Sequence, residues 1–119
     1  MKLFSPKLLL RLEGATVLVV SLVAFQNLHG SWGWFAGLFL APDLSALGYL
    51  VGLRTGAACY NAAHNYVLPL GIGAGCFLTG HTGALIWIAV WVAHIGFDRM
   101  LNYGLKYPTA FKDTHLGRV

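Results

Sequence analysis

The feature that most constrains this chain is a succession of four long apolar stretches. They cover about 6–28, 32–53, 56–78 and 82–101, each near the roughly 20 residues that a helix needs to cross a bilayer. Apolar residues make up 57% of the 119 residues and charged residues 10%, which is more apolar surface than a soluble particle of this size can bury. We therefore expect an all-α, four-span antiparallel transmembrane helix bundle in which residues 1–119 form a single membrane domain.

Proline and short links subdivide this bundle. Pro42-Asp43 interrupts the second stretch, so we expect a break there, with Asp43 as a possible N-cap of the restarted helix. The short links predict that consecutive helices are antiparallel neighbours. The first stretch is interpreted as a permanent span because no small-residue cleavage site followed by a polar domain succeeds it. Residues 102–119 interleave aromatic and basic side chains, which predicts an interfacial cytoplasmic tail.

The basic residues fix the orientation of the bundle. All eight fall on one side of a four-span arrangement, and the loops around His29 and His81 carry none. The positive-inside rule makes the basic side cytoplasmic, so both termini are expected there. The basic residues are Lys2, Lys7, Arg11, Arg54, Arg99, Lys106, Lys112 and Arg118. Orientation accounts for these charges, and we expect the lipid bilayer, not nucleic acid, as the partner of the chain.

Small residues recur four apart in the second and third stretches. This spacing lets helix backbones approach closely in lipid, and it predicts a possible homo-oligomer through the small-residue faces. The pairs are Gly33/Gly37, Gly52/Gly56 and Gly71/Gly75.

Ionisable residues inside the apolar stretches are candidates for a functional site, because burying them in a membrane is costly. His94 and Asp98 lie at i and i+4 and share one helix face, and Asn61, His64 and Asn65 share another at i, i+3 and i+4. These residues lie at similar depths in the cytoplasmic half. Glu13 and Asp43 could join them from the first and second stretches.

Each residue also has a plain structural interpretation. His64 with its two asparagines could form a hydrogen-bonded core cluster. Asp98 could form an interfacial ion pair with Arg99, and Glu13 could be a boundary charge near Arg11. His115 in the tail could fold over the cytoplasmic opening as a third imidazole or lie at the interface. One shared site explains the common depth better than several unrelated placements.

Two histidines with carboxylates suit a divalent metal, Zn or Fe. In this hypothesis His64, His94 and Asp98 hold the metal, and Glu13 or Asp43 acts as general base in an enzyme that acts on a membrane-soluble substrate. Haem b between the two histidines is a further option for the cofactor. The alternative functions are a proton- or cation-coupled small transporter and a structural or partner-stabilising subunit without catalysis.

Several short motifs resemble a known family. They are Pro42-Asp43 and the segments at 60–64, 94–99, 103–107 and 111–117, read as YNAAH, HIGFDR, YGLKY and FKDTHLG. The chain resembles small bacterial integral membrane proteins of the domain of unknown function 4260 family. The resemblance implies the bacterial cytoplasmic membrane, a fold and a set of candidate residues, but no reaction. The polar members of these motifs are Asp43, His64, His94, Asp98 and His115.

Overall fold

All regular elements in residues 4–119, the part of the chain that this computed structural model describes, are helices. A ten-residue 3₁₀ helix, Ala41–Leu50, lies between the second and third α-helices, and a 3₁₀ turn, Thr82–Ala84, leads into the fifth. The α-helices are α1 (Pro6–Asn27), α2 (Trp32–Leu38), α3 (Leu53–Ala63), α4 (Val67–Leu78), α5 (Leu85–Met100) and α6 (His115–Arg118). The all-α prediction is confirmed for this part of the chain.

Two helices in the described residues 4–119 are long and apolar enough to cross a membrane. They are α1, over Pro6–Asn27, and the helical stretch Thr82–Met100 that contains α5. Most of α1 is not buried by the rest of the chain, and Val20, for example, is 61% exposed. The first and fourth predicted spans are thus supported by length and composition, and the four-span arrangement stays a prediction.

The second and third apolar stretches are not continuous α-helices. α2 ends at Leu38, and the 3₁₀ helix that follows carries Pro42 in its first turn, so the chain changes helix type around the predicted Pro42-Asp43 break. The third stretch was expected to be one helix over 56–78, and here the structure differs. α3 ends at Ala63 and α4 begins at Val67. The physical reason is that side chains from α5 bind the last carbonyls of α3, as described below.

α5 is the central helix, and α1 packs along it in the opposite direction. The guanidinium of Arg11, near the start of α1, donates to the carbonyl of Met100 at the end of α5. Phe25, near the end of α1, packs with residues from the first half of α5. Between these points Gly14 and Gly96 meet, and a Cβ on Gly96 would lie only 2.7 Å from the Gly14 carbonyl oxygen. Glycine is required at this crossing because backbone touches backbone.

α4 also packs antiparallel to α5. Gly73 in the middle of α4 lies against Ile88, while His64, just before α4, binds Arg99 near the other end of α5. The 3₁₀ helix packs on α3, with Gly48 against Cys59. These contacts bring the end of α3, the first turn of the 3₁₀ helix and the second half of α5 to one place.

Most members of the predicted small-residue pairs make no close contact within the described chain. A Cβ on Gly37, Gly52, Gly71 or Gly75 would meet no described atom within 4 Å, whereas Gly56 lies tightly against the ring of Tyr49 in the 3₁₀ helix. The close backbone-to-backbone approach of two helices is made by Gly14 and Gly96, which the four-residue spacing did not identify. A homo-oligomer through the exposed glycine faces stays a prediction.

Candidate metal centre

Four side chains from three elements converge at one point. Asp43 comes from the first turn of the 3₁₀ helix, His64 from the end of α3, and His94 and Asp98 from successive turns of α5. One ligand atom from each residue lies within 4.8 Å of the other three. The site combines residues that are up to 55 positions apart, from Asp43 to Asp98 (98 − 43).

The separations of these atoms match those of a small coordination sphere. The two imidazole Nε2 atoms are 3.1 Å apart, and Asp43 Oδ1 lies 3.0 Å from that of His64 and 3.1 Å from that of His94. Asp98 Oδ2 lies 3.5 Å and 3.2 Å from the same two nitrogens. Ligands that bind Zn²⁺ tetrahedrally at about 2.0–2.1 Å are separated by about 3.3–3.4 Å from one another. The four atoms therefore surround a position of the right size for one metal ion.

The proton of the neutral His64 ring lies on the nitrogen that points away from the cluster. Its Nδ1 lies 2.8 Å from the carbonyl oxygen of Tyr60, which only accepts, so Nδ1 carries the proton. In the neutral ring Nε2 then presents a lone pair to two carboxylate oxygens and to the second imidazole. Electron-rich atoms at these distances repel unless a proton or a cation lies among them. A backbone carbonyl that fixes the tautomer in this way is also the usual partner of a metal-binding histidine.

Burial closes the site on one side. His64 and His94 are each 1% exposed, whereas the side chain of Asp43 is 46% exposed. His94 packs against the ring of Phe39, with centroids 5.3 Å apart, and its Nδ1 is buried without a hydrogen-bond partner in residues 4–119. The two imidazoles are thus buried, and the site is open on the side of Asp43.

Side chains from α5 hold His64 in place by ending α3. The indole nitrogen of Trp91 donates to the carbonyl of Ala63 at 2.6 Å, and the Arg99 guanidinium donates to the carbonyl of His64 at 2.8 Å. These bonds satisfy carbonyls that a helix end leaves without partners, and the positive Arg99 lies where the helix dipole favours it. The Tyr60 ring stacks on the His64 imidazole with centroids 3.7 Å apart. The orientation of His64 is therefore determined from several sides.

The tail is fastened next to the site by one reciprocal pair of hydrogen bonds, and a second pair holds the tail folded on itself. The Asn61 amide donates to the carbonyl of Lys106 at 2.8 Å and accepts from its N–H at 2.6 Å. The His115 backbone N–H donates to the Leu105 carbonyl at 2.9 Å, and His115 Nδ1 accepts from the Leu105 N–H at 2.8 Å. Burial and the nearby Arg99 guanidinium lower the pKa of His115 and favour the neutral ring that this bond requires.

A cavity of about 350 Å³ lies between the metal-ligand cluster and the tail. Asp43 and Asp98 line it from the cluster, and Lys106 and Phe111 line it from the tail. Because the cavity contacts both carboxylates, a molecule inside it would lie next to the proposed metal position. The arrangement provides room for a substrate as well as for an ion.

The other predicted site residues lie outside the cluster. Asn65 binds backbone on both sides, donating to the Asn61 carbonyl and accepting from the Leu68 N–H, and so begins α4. Asn61 binds Lys106 of the tail, and His115 binds Leu105 within the tail, as above. Glu13 is exposed on α1 and lies in a separate, shallow pocket with Tyr66. The structure does not bring it to the histidines.

Asp98 and Arg99 do not form the ion pair considered from the sequence. Asp98 faces the two imidazoles, and Arg99 donates to the backbone carbonyls of His64 and Tyr103. Adjacent residues on a helix point about 100° apart. Asp98 therefore enters the cluster, while Arg99 binds the backbone behind it.

Comparison with known proteins identifies the family. A family profile described as a domain of unknown function (DUF4260) matches residues 7–119. The chain belongs to this family. The resemblance inferred from the sequence motifs is confirmed, and no curated protein or solved structure matches the chain.

The family description names no reaction, so the chemistry of this DUF4260 protein has to be argued from its site. Sequence reasoning missed Trp91, Lys106 and the supporting role of Arg99. For Trp91 a signal exists, because residues 91, 94 and 98 recur at helical spacing and share the face of α5 that meets α3. For Lys106 no such signal exists, since the tail has no regular period.

Proposed function

We propose that this DUF4260 protein binds one divalent metal ion, Zn²⁺ or Fe²⁺, through Asp43, His64, His94 and Asp98. The carrying observation is the convergence of the unprotonated His64 Nε2 with three other donor atoms at 3.0–3.5 Å. Two imidazoles and two carboxylates are a donor set that suits these metals. The proposal adds Asp43 to the ligands that the sequence suggested.

The same distances argue against haem b. Two histidines that bind a haem iron from opposite faces hold their nitrogens about 4 Å apart, twice a metal–nitrogen bond of about 2 Å, with the macrocycle between them. The Nε2 atoms of His64 and His94 are 3.1 Å apart and both face Asp43. This geometry favours a single small ion.

We further propose that the site is that of a metal-dependent enzyme acting on a membrane-soluble substrate. A bound divalent metal supplies Lewis-acid chemistry and makes a bound water more acidic. Asp43 is half-exposed and lines the cavity, and only its Oδ1 lies among the donor atoms, so the second oxygen of its carboxylate can accept a proton from a reacting water or substrate. The general-base role considered for Glu13 or Asp43 is therefore assigned to Asp43.

The membrane setting belongs to this proposal. The antiparallel packing of α1 and α4 on α5 is the packing that a four-span antiparallel bundle would have. With both termini cytoplasmic in a bacterial inner membrane, the end of α5 that carries Asp98 and Arg99 faces the cytoplasm. Substrate would then reach the cavity from the inner leaflet.

Transport is less well supported than catalysis. A transporter needs a polar path that continues from the cluster to the other side of the membrane. α4, which runs away from the cluster over Val67–Leu78, carries no charged or amide side chain. The cavity instead opens beside the tail, on the side of the basic residues.

Metal analysis of the detergent-purified chain tests the proposal. A His64→Ala/His94→Ala double variant is compared with a His29→Ala/His81→Ala double variant, which removes two histidines from the distant loops and serves as the matched control. We expect one metal ion per chain in the wild type and the control, and less than a tenth of that in the cluster variant. Circular dichroism reports whether the helices persist.

A metal-free wild type from cells grown with added zinc and iron would refute the metal site and move the interpretation to a structural subunit. Equal metal content in the two double variants would locate the metal elsewhere.

A further inference from the structure

Two buried cations lie near the cluster without a carboxylate partner. Lys106 is 8% exposed and Arg99 7% exposed, and neither forms a salt bridge in the described part of the chain. A buried charge without a counter-ion is costly, so its presence calls for an explanation. Arg99 has one, because it binds the carbonyls at the end of α3. Lys106 is the cation that lines the cavity.

The Lys106 side chain is held in place, but the described residues do not accept all of its hydrogen bonds. Its Nζ donates to the Phe111 carbonyl at 2.8 Å and lies 3.7 Å from the centroid of the Phe111 ring and 4.6 Å from that of Tyr60. An ammonium group has three donors, and the described residues accept one of them. Asn61 binds both the backbone N–H and the carbonyl of Lys106. The side chain is thus positioned with donors left for a ligand.

The charge of the cavity depends on the metal. Asp43 and Asp98 carry two negative charges, which one divalent ion balances. The positive charge of Lys106 then remains, so the metal-loaded cavity has a surplus of positive charge. An anionic ligand would remove this surplus.

We propose that the cavity binds a phosphate monoester, free or as a lipid headgroup, and that Lys106 contacts the phosphate oxygens. This inference rests on the proposed metal site. Lys106 lines the same cavity as Asp43 and Asp98, a phosphate group presents several oxygens that a metal ion and an ammonium can share, and lysine binds phosphate as a point charge. Phe111 and Tyr60 supply aromatic walls for the part of the ligand next to the phosphate. The substrate class of the proposed enzyme is accordingly a phosphate ester.

Cobalt provides the test, because Co²⁺ accepts the same donors and its visible spectrum reports on its ligands. Inorganic phosphate is titrated into the Co²⁺-loaded full chain in detergent, for the wild type and for Lys106→Met. The matched control is Lys112→Met, which removes an exposed lysine from the same tail. We expect phosphate to change the spectrum, the apparent Kd to rise about tenfold or more in Lys106→Met, and the control to match the wild type.

A second arm replaces inorganic phosphate with phosphatidic acid in the micelle, with phosphatidylcholine as the blank. Tighter apparent binding of phosphatidic acid assigns the site to a lipid headgroup, and tighter binding of inorganic phosphate assigns it to a soluble ester.

The outcomes separate the two proposals. A wild type that takes up no Co²⁺ refutes the metal site itself. Normal Co²⁺ uptake with a wild-type spectrum that phosphate leaves unchanged overturns the phosphate inference, whatever the variants do. Equal phosphate affinity in Lys106→Met and Lys112→Met, at equal Co²⁺ content, overturns the role of Lys106.

Discussion

The crossing of α1 and α5 at Gly96 permits a quantitative prediction. In Gly96→Ala the new Cβ would lie 2.7 Å from the Gly14 carbonyl oxygen and 2.8 Å from the Leu18 nitrogen. Ordinary contact begins at 3.4 Å, so the helices would have to separate by about 0.7 Å (3.4 − 2.7). Both neighbours are backbone atoms, and no change of rotamer can relieve the contact.

The expected cost follows from two opposing effects. Overpacking of this kind costs about 3 kcal/mol at the upper end, and alanine regains about 1 kcal/mol over glycine inside a helix. We therefore expect Gly96→Ala to lower the free energy of unfolding by about 2 kcal/mol. Gly75→Ala is the matched control, because a Cβ there meets no described atom within 4 Å. It should be neutral or stabilise by up to about 1 kcal/mol.

Unfolding by sodium dodecyl sulfate, followed by circular dichroism in mixed micelles, measures the difference. Gly96 lies two residues from both His94 and Asp98, about 200° around α5, so it faces away from the cluster. The folded fraction of Gly96→Ala should accordingly keep its metal. If Gly96→Ala and Gly75→Ala unfold at the same detergent fraction as the wild type, the close backbone contact at this crossing is wrong.

Three further predictions concern the supports of the site. Trp91→Phe leaves the Ala63 carbonyl without its donor and should destabilise the protein by about 1–3 kcal/mol in the same unfolding assay, whereas an unchanged midpoint would show that another donor replaces it. Asn61→Leu removes two hydrogen bonds to Lys106, so amide exchange in residues 103–107 should accelerate while the exchange of α1 is unchanged. The folded-state pKa of His115 lies below the ordinary 6.5, so the unfolded chain binds the proton first as the pH falls. The tail contact is therefore complete above pH 6.5 and weakens as the pH falls below it, and amide exchange of the tail should show this in the wild type and not in His115→Ala.

Much of the candidate site could be predicted because polar groups in apolar helices are costly and therefore conspicuous. His94 and Asp98 were paired by their spacing, His64 was placed with them by its depth, and Asp43 was considered as a further member from the second stretch. Glu13 was included by the same reasoning, but depth gives only the position along a helix axis. Gly14 faces α5, and its neighbour Glu13 is turned about 100° away, so rotation about the axis excluded it from the cluster.

The break in the third apolar stretch could not be predicted from local sequence. One helix was expected over 56–78, whereas the chain leaves the helix at His64. Its causes are Trp91 and Arg99, which lie 28 and 35 residues from the carbonyls they bind. The local sequence does not indicate such distant hydrogen-bond partners, because they come together only when the helices pack.

By itself the sequence determined the helical class and the family, and it predicted a common level for the histidines and carboxylates, because hydrophobicity and spacing are properties of the chain alone. Only the tertiary structure decided which of those side chains meet. The crossing at Gly14 and Gly96 sets the rotation of α5, and the α5 side chains that end α3 turn His64 toward His94. Direction in space, unlike depth, depends on what each helix packs against.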